Sequence, residues 1–338
     1  MHQSPSRSVL ILGARGRFGL CAARAFAAAG WDVIGQLRPG AAAPDCAGVR
    51  WLPVAVDDTA AIVEGARGAC VVVHALSPVY TQWERDALPL LDAGILISHA
   101  LDALMVLPGN VYNFGADTPP VLHEQTAQRA HTRKGLIRVE MEHRMQQAST
   151  ERGMRSVVIR AGDFFGSGKG SWFDLALVKE ISDGRMTYPG ALDVPTSWAY
   201  LPDLASTFVR VASRLLAMPE RFQPFEVFHF AGHTLTGHDW AEQLADVARD
   251  NGWLPPDGSL VRKSMPWALM RAGAWVVPMW RELLAMHYLW QTPLALDGSK
   301  LAALIGPEPH TELPVALRQA LQDLGKTRRV PCASPMWA

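Results

Sequence analysis

The chain has 338 residues, 49% hydrophobic and 19% charged, with 32 Lys and Arg balanced by 32 Asp and Glu. That is enough to bury one large core or two coupled ones. A zero net charge argues against nucleic acid as the main partner, because binding a phosphate backbone needs a basic excess.

Taken in chain order, Val9–Leu12 is a short apolar run of strand type. It ends in Gly13-Ala14-Arg15-Gly16-Arg17-Phe18-Gly19 and passes into an alanine-rich helical stretch, Cys21–Ala29. A Gly-x-x-Gly-x-x-Gly turn between strand and helix is built to hold a pyrophosphate. Gly13 permits the tight turn, Gly16 lets the backbone approach the ligand, and Gly19 lets helix and strand pack closely. The helix start adds free N–H groups and a partial positive charge that favour an anion.

Trp31–Leu37 is predicted as the second strand, Val49–Val56 as the third and Ala69–Ala75 as the fourth, with a short helix over Thr59–Ala66. A longer helix around Gln82–Ala93 continues or restarts before Ala103. Leu104–Pro108 is a fifth strand, His131–Thr150 a long helix and Arg155–Ala161 a sixth strand. Strands alternating with helices predict an α/β fold: a doubly wound Rossmann parallel sheet with right-handed crossovers over residues 1–165. The apolar runs Val9–Leu12 and Val71–Val73 suit strands buried on both faces.

Beyond Gly162 the character changes. Asp163–Gly190, rich in Gly, Phe and Trp, reads as a loop with one helix. Pro202–Ala217 is helical, Val227–Phe230 a short strand, and Asp239–Asn251 another helix. Residues 166–338 are therefore predicted as a smaller, mostly α substrate-binding region, with segments at about 187–205 and 225–232 returning to the sheet. Met265–Trp290 is the longest apolar zone, but Arg271, Pro278, Arg281 and Glu282 interrupt it. A bilayer span needs about 20 uninterrupted apolar residues, so this zone reads as buried or oligomer-forming helices; it makes a homodimer reasonable and leaves the oligomeric state open. The four cysteines, Cys21, Cys46, Cys70 and Cys332, have no metal-ligand spacing. They read as reduced thiols of a cytoplasmic protein, with Cys21 and Cys70 packed inside. Residues 1–8, with Arg7 as their only charge, are read as lacking a secretory signal. No metal site, Gly-x-Ser-x-Gly turn or P-loop is found.

The order of these landmarks resembles the extended and atypical branches of the short-chain dehydrogenase/reductase superfamily, the NAD-dependent epimerase/dehydratase-like group. The matching residues are Gly13, Gly16 and Gly19, then Val71-Val72-Val73-His74-Ala75, then Val111-Tyr112 with Gly115. Lys134 follows on the long helix, then Arg160-Ala161-Gly162-Asp163-Phe164-Phe165-Gly166. Trp198-Ala199-Tyr200-Leu201-Pro202-Asp203-Leu204-Ala205 and Phe228-His229-Phe230-Ala231-Gly232 complete the series. The resemblance implies hydride chemistry on a small carbonyl, alcohol or sugar-like substrate, with a Tyr-x-x-x-Lys pair and a Ser or Thr after the fifth strand. Here the pattern breaks. Ala130 stands four residues before Lys134, Pro108 stands where the hydroxyl belongs, and no tyrosine has a lysine four residues on.

The resemblance further implies a dinucleotide held by Gly13, Arg15, Gly16, Arg17, Phe18 and Gly19, by Ala75, Leu76 and Ser77 after the fourth strand, and by Ala161 and Gly162 after the sixth. Lys134 would hold the nicotinamide ribose, unless it is a surface lysine. The second strand ends in Gln36-Leu37-Arg38, without the carboxylate that NAD-preferring sites use. NADP(H) is therefore the expected cofactor, with Arg38 on a 2′-phosphate and NAD(H) as second choice. Asp57 either meets the adenine or caps a helix. Tyr112 and His131 are the candidate proton carriers, Tyr112 through a pKa lowered by a nearby ammonium, while Asp163 either binds a substrate hydroxyl or amine or caps the following turn. Trp172, Phe173, Trp198 and Tyr200 suggest an aromatic pocket. A second reading is a non-catalytic NADP-sensing regulator resembling the NmrA type, which keeps the cofactor fold and lacks the tyrosine.

Overall fold

The computed structural model describes residues 7–326; Cys332 lies outside them. The first half alternates as read from sequence: β1 (Ser8–Leu12), α1 (Arg17–Ala28), β2 (Asp32–Leu37), β3 (Val49–Pro53), α2 (Thr59–Gly65), β4 (Val71–His74), α3 (Trp83–Ala100) and β5 (Leu104–Gly109). A two-residue strand, β6 (Val121–Leu122), precedes α4 (Arg133–Arg152) and β7 (Ser156–Arg160). Then come β8 (Asp163–Phe165), β9 (Arg185–Tyr188), β10 (Thr196–Tyr200), α5 (Leu201–Ala217), β11 (Phe225–His229), β12 (His233–Leu235) and α6 (Gly237–Asp250). The chain continues through β13 (Val261–Ser264), α7 (Trp267–Gly273), α8 (Pro278–Ala285), β14 (Ala295–Leu296), α9 (Ser299–Ile305) and α10 (Leu313–Asp323).

Seven parallel strands form the main sheet in the order β11-β7-β5-β4-β1-β2-β3. Alternate residues of each strand face opposite layers. Val9, Ile11, Val71, Val73, Val106 and Ile159 pack under α1 and α5, while Leu10, Leu12, Ile34 and Val72 face α2 and α3. Burial on both faces explains why these strands are continuously apolar rather than alternating. The strand order reverses between β1 and β4, so the loops after those strands part there and leave a crevice at their carboxyl ends.

The second region is mostly helical, as expected, and its short strands join three small sheets, β12-β10-β8, β13-β9 and β14-β6, of which β6 and β8 come from the first half. Of the two segments expected to return to the main sheet, 225–232 does so through β11, whereas β10 within 187–205 pairs with β8 and β12 instead. A second core forms here around Trp198, Trp240, Trp290, Phe165 and Phe173. The apolar zone of Met265–Trp290 divides. Met270, Met286, Leu289 and Trp290 are buried, while Trp275 and Val276 at the α7–α8 turn are exposed. No described helix is long and apolar enough to cross a membrane. Cys21 is buried, its thiol pushed up to about 11 by burial, and Cys46 and Cys70 are half-buried.

Candidate functional site

The glycine turn is formed by contacts that only glycine allows. Gly13 sits at φ 74°, where an added Cβ would stand 3.0 Å from the Ala75 carbonyl oxygen. At Gly19 the same atom would lie 2.4 Å from the Gly13 carbonyl oxygen, so α1 is seated directly on the turn. Gly16 is the N-cap of α1 and offers no side chain to its first-turn amides, which are left free to meet an anion. Gln36 braces the turn from the end of β2. Its side-chain oxygen accepts the Gly13 N–H at 2.9 Å and its amide donates to the Val54 carbonyl at 2.7 Å. The turn is thus fixed before any ligand arrives.

Beside it runs a groove of about 820 Å³, walled by Gly13 to Phe18, Gln36 to Arg38, His74 to Val79 and the carboxyl end of β5. Ala75, Leu76 and Ser77 lie in its wall as expected, and so do Arg15, Arg17 and Arg38. Asp57 does not; it is exposed, Val56 takes the groove, and the residue that caps α2 is Asp58, accepting the Ala61 N–H at 3.1 Å. The cap alternative for Asp57 is therefore corrected. Ala161 is buried in the core below, and Gly162 faces a second pocket.

Two further cations line the groove that the sequence reading did not single out, Lys169 and Arg138. Arg138 lies one helical turn after Lys134, on the same face of α4, and that spacing was the available signal. Its Nη1 donates to the Pro108 carbonyl at 3.2 Å, its guanidinium lies 4.8 Å from the Trp83 ring, and its Nε is buried without a partner. Burial lowers its pKa to about 10, so it stays charged at neutral pH. Nδ1 of His74 and Nη1 of Arg17 are also buried without partners, and both residues line the groove.

The second pocket, about 400 Å³, adjoins the groove across Arg17, Phe164 and Gly170. Its polar end carries Tyr80, Asn110, Tyr112 and Asp163. Asp163 opens β8 just past the carboxyl end of β7, and burial pushes its carboxyl up to about 7 against the opposing pull of Arg17. A carboxyl at that value is part acid and part base near neutrality. Tyr112 is driven the other way from expectation. Burial first, then the neighbouring Tyr80 and Asp163, hold its phenol well above the usual value, so it is not an activated phenolate.

Lys134 explains why. It is 3% exposed, not a surface lysine, but it borders neither the groove nor the pocket. Its ammonium pairs with Glu282 of α8 and lies 4.1 Å from the centre of the Tyr80 ring. His131 stands before α4, whose N-cap is Thr132, and packs edge-on against Tyr288 with ring centres 4.6 Å apart. It is exposed and borders neither cavity. Of the aromatic residues expected in the pocket, only Trp172 lines it; Phe173, Trp198 and Tyr200 are buried in the second core. Among the described residues, no group of His, Cys, Asp and Glu could hold a metal ion.

The groove suits a dinucleotide: a preformed turn that a Cβ would fill, free helix amides, surplus positive charge, and a volume within the range of about 300–1,000 Å³ typical of ligand pockets. No family model matches the chain, and no curated protein does. Solved structures do. A nucleoside-diphosphate-sugar epimerase from Pseudomonas aeruginosa superposes with a TM-score of 0.73 at 19% identity, over 95% of this chain and 99% of that one. An L-threonine dehydrogenase from Clostridium difficile gives 0.68 at 18% identity, over 95% and 98%. A UDP-glucose 4-epimerase from Brucella ovis, solved with NAD, gives 0.71 at 15% identity, over 95% and 99%. At these identities the likeness is one of fold, the α/β Rossmann-like fold of those epimerases and dehydrogenases.

Proposed function

We propose that the chain is an oxidoreductase or epimerase-like enzyme that binds a nicotinamide dinucleotide, NADP(H) in preference to NAD(H), and acts on a carbonyl or alcohol in the pocket beside the groove. One observation carries this reading. The groove that starts at the glycine turn is lined by four arginines and a lysine against a single carboxylate, Asp86, itself paired with Arg85. The turn and the start of α1 suit a pyrophosphate, and Arg38 and Arg15 suit a 2′-phosphate at the end of β2, where a carboxylate would repel it.

When bound, the dinucleotide supplies or accepts a hydride. The chain does the rest. Asp163 holds or releases the proton at its carboxyl oxygen, Asn110 and the phenols of Tyr80 and Tyr112 orient the reacting oxygen, and Trp172 lies against the substrate body. Lys134 acts as a positioning residue that fixes Tyr80. Ala130 and Pro108 contribute no proton.

One feature favours a second reading, a non-catalytic NADP-responsive regulator: Ala130 and Pro108 replace the hydroxyls of the related enzymes, and Lys134 is tied to Glu282. Nucleotide titrations combined with turnover assays over aldehydes, ketones and nucleotide sugars separate the two. NADPH is expected to bind at least about tenfold tighter than NADH, as one charge-assisted contact of about 1.5–3 kcal/mol would give, and Arg38→Ala should close that gap. Tight NADPH binding without turnover on any compound selects the regulator. Lack of affinity for either nucleotide removes both readings.

A further inference from the structure

The second pocket constrains what the enzyme acts on. Apart from its polar end, its wall is Val111, Trp172, Leu175, Met265, Met279 and Leu283. These are apolar or soft side chains, suited to an apolar body of adaptable shape. A nucleotide sugar makes a different demand. Its diphosphate carries two or more negative charges that need matching cations or helix amides.

Arg17 is the one cation among the residues lining this pocket. Its charge is already shared. Asp174 and Asp163 both act on the guanidinium, and its Nη2 donates to the Phe164 carbonyl at 3.3 Å. Lys134 is withheld as well: its ammonium is paired with Glu282 and lies against the Tyr80 ring. That pairing also disposes of the one carboxylate on α8, so the helix turns Met279 and Leu283, rather than charge, to the pocket. A diphosphate placed here would meet Asp163 without surplus positive charge.

On the reading of the site as a nicotinamide-linked oxidoreductase, we infer that its substrate is an uncharged, largely apolar secondary alcohol or ketone, and not a nucleotide diphospho-sugar. The alcohol lies with its carbinol at the polar end, between Asp163 and the two phenols, and its hydrocarbon body against Trp172 and the methionines. In oxidation its O–H proton passes to the Asp163 carboxylate, and its carbinol hydrogen leaves with the electron pair to the oxidised nicotinamide. The products are the ketone, the reduced dinucleotide and a protonated Asp163. Reduction runs the same exchange backwards.

The test titrates the full chain, saturated with NADP+, with three probes: 2-tetralol, an uncharged bicyclic secondary alcohol; 2-aminotetralin, its cationic analogue; and UDP-glucose. Calorimetry reads binding, and NADPH fluorescence independently reads the cofactor groove. Tetralol is expected to bind at least tenfold tighter than either other probe and to yield NADPH. Met279→Glu should weaken tetralol at least tenfold while NADPH affinity stays unchanged. Tighter binding of UDP-glucose or of the amine, absence of tetralol binding, or an unchanged tetralol affinity in Met279→Glu overturns the inference while leaving the cofactor reading standing. Failure of NADPH itself to bind takes down the cofactor reading, and the inference with it.

Discussion

Asp163 has the protonation behaviour that a proton carrier needs, and the cause is plain. Burial raises its carboxyl from the ordinary carboxylate range to about 7, with only Arg17 resisting. Below pH 7 the folded protein holds the neutral acid, and above it the carboxylate. Carbonyl reduction, which needs the acid, should therefore decline as pH rises through about 7, and alcohol oxidation, which needs the base, should decline as pH falls through it. Asp163→Asn is expected to lose about 10²–10⁴-fold in turnover, the usual contribution of a positioned acid–base, and to flatten the profile. A bend near neutrality that survives in the variant would assign the proton to another group. The sequence could name Asp163, Tyr112 and Lys134 but not what faces them. Glu282 lies 148 residues from the lysine it pairs with, and that pairing, decided by tertiary packing, is what turned the ammonium away from Tyr112. Arg138 was legible in principle, since residues four apart on a helix share a face.

The strand–turn–helix unit at β1 and α1 was legible almost completely, because its geometry is local: three glycines at fixed spacing and an apolar run before them. Gly19 tests how far function rests on that geometry. A Cβ there would meet the Gly13 carbonyl oxygen at 2.4 Å and the Ala14 Cα at 2.9 Å, both backbone atoms that cannot rotate aside. Gly19→Ala must push α1 off the turn, at an overpacking cost of about 1–3 kcal/mol, and carry the first-turn amides out of register with a pyrophosphate. Gly252→Ala is the control: it has φ 71° and nothing within 4 Å, so backbone strain of about 1 kcal/mol is its only expected cost. Thermal unfolding should find both variants weakened, whereas NADPH titration should find only Gly19→Ala impaired. Equal affinities would detach the turn from the ligand. The short strands outside the main sheet were not legible for the opposite reason. β6, β12 and β14 are two or three residues long, too short for a period to appear, and they exist only through partners distant in sequence. The start of α4 was missed by two residues because the helical pattern continues through His131, while the Thr132 side chain, accepting the Gly135 N–H at 3.1 Å, decides where the helix begins.

Between the two cores runs a buried polar connection that neither half could keep alone. Arg160 of β7 donates to both carboxylate oxygens of Glu142 on α4, at 3.0 and 2.6 Å. Its Nη1 lies 3.2 Å from Nε2 of His229, on the edge strand β11. Nδ1 of His229 donates to the Leu122 carbonyl at 3.1 Å, so Nε2 must be the unprotonated acceptor from Arg160, and the ring is neutral. The His229 N–H donates to Glu124 at 3.0 Å. This histidine thereby ties the main sheet to β6, which pairs with β14 of the second region. Burial, then the Arg160 charge, lower its pKa to about 4. The unfolded chain, with an ordinary histidine near 6.5, binds the extra proton first as the solution is acidified, so stability falls between about pH 6.5 and 4. Asp163 and Glu308, both with raised carboxyls, act in the opposite sense, and His233, also lowered to about 4, in the same sense. A bare acid-denaturation curve mixes these with His74 and His287, which burial also lowers, and with the lowered carboxyls of Asp86, Glu180 and Asp297. His229→Gln removes one and leaves the others in place. Glutamine can accept from Arg160 without titrating, so the stability difference between wild type and variant should shrink by about 3 kcal/mol from pH 7 to pH 4, the linkage worth of a shift of this size. Urea unfolding at the two pH values measures it. A difference that stays constant would mean that His229 accepts its proton in the folded protein as readily as in the unfolded chain, and that the connection between the cores does not depend on its neutrality.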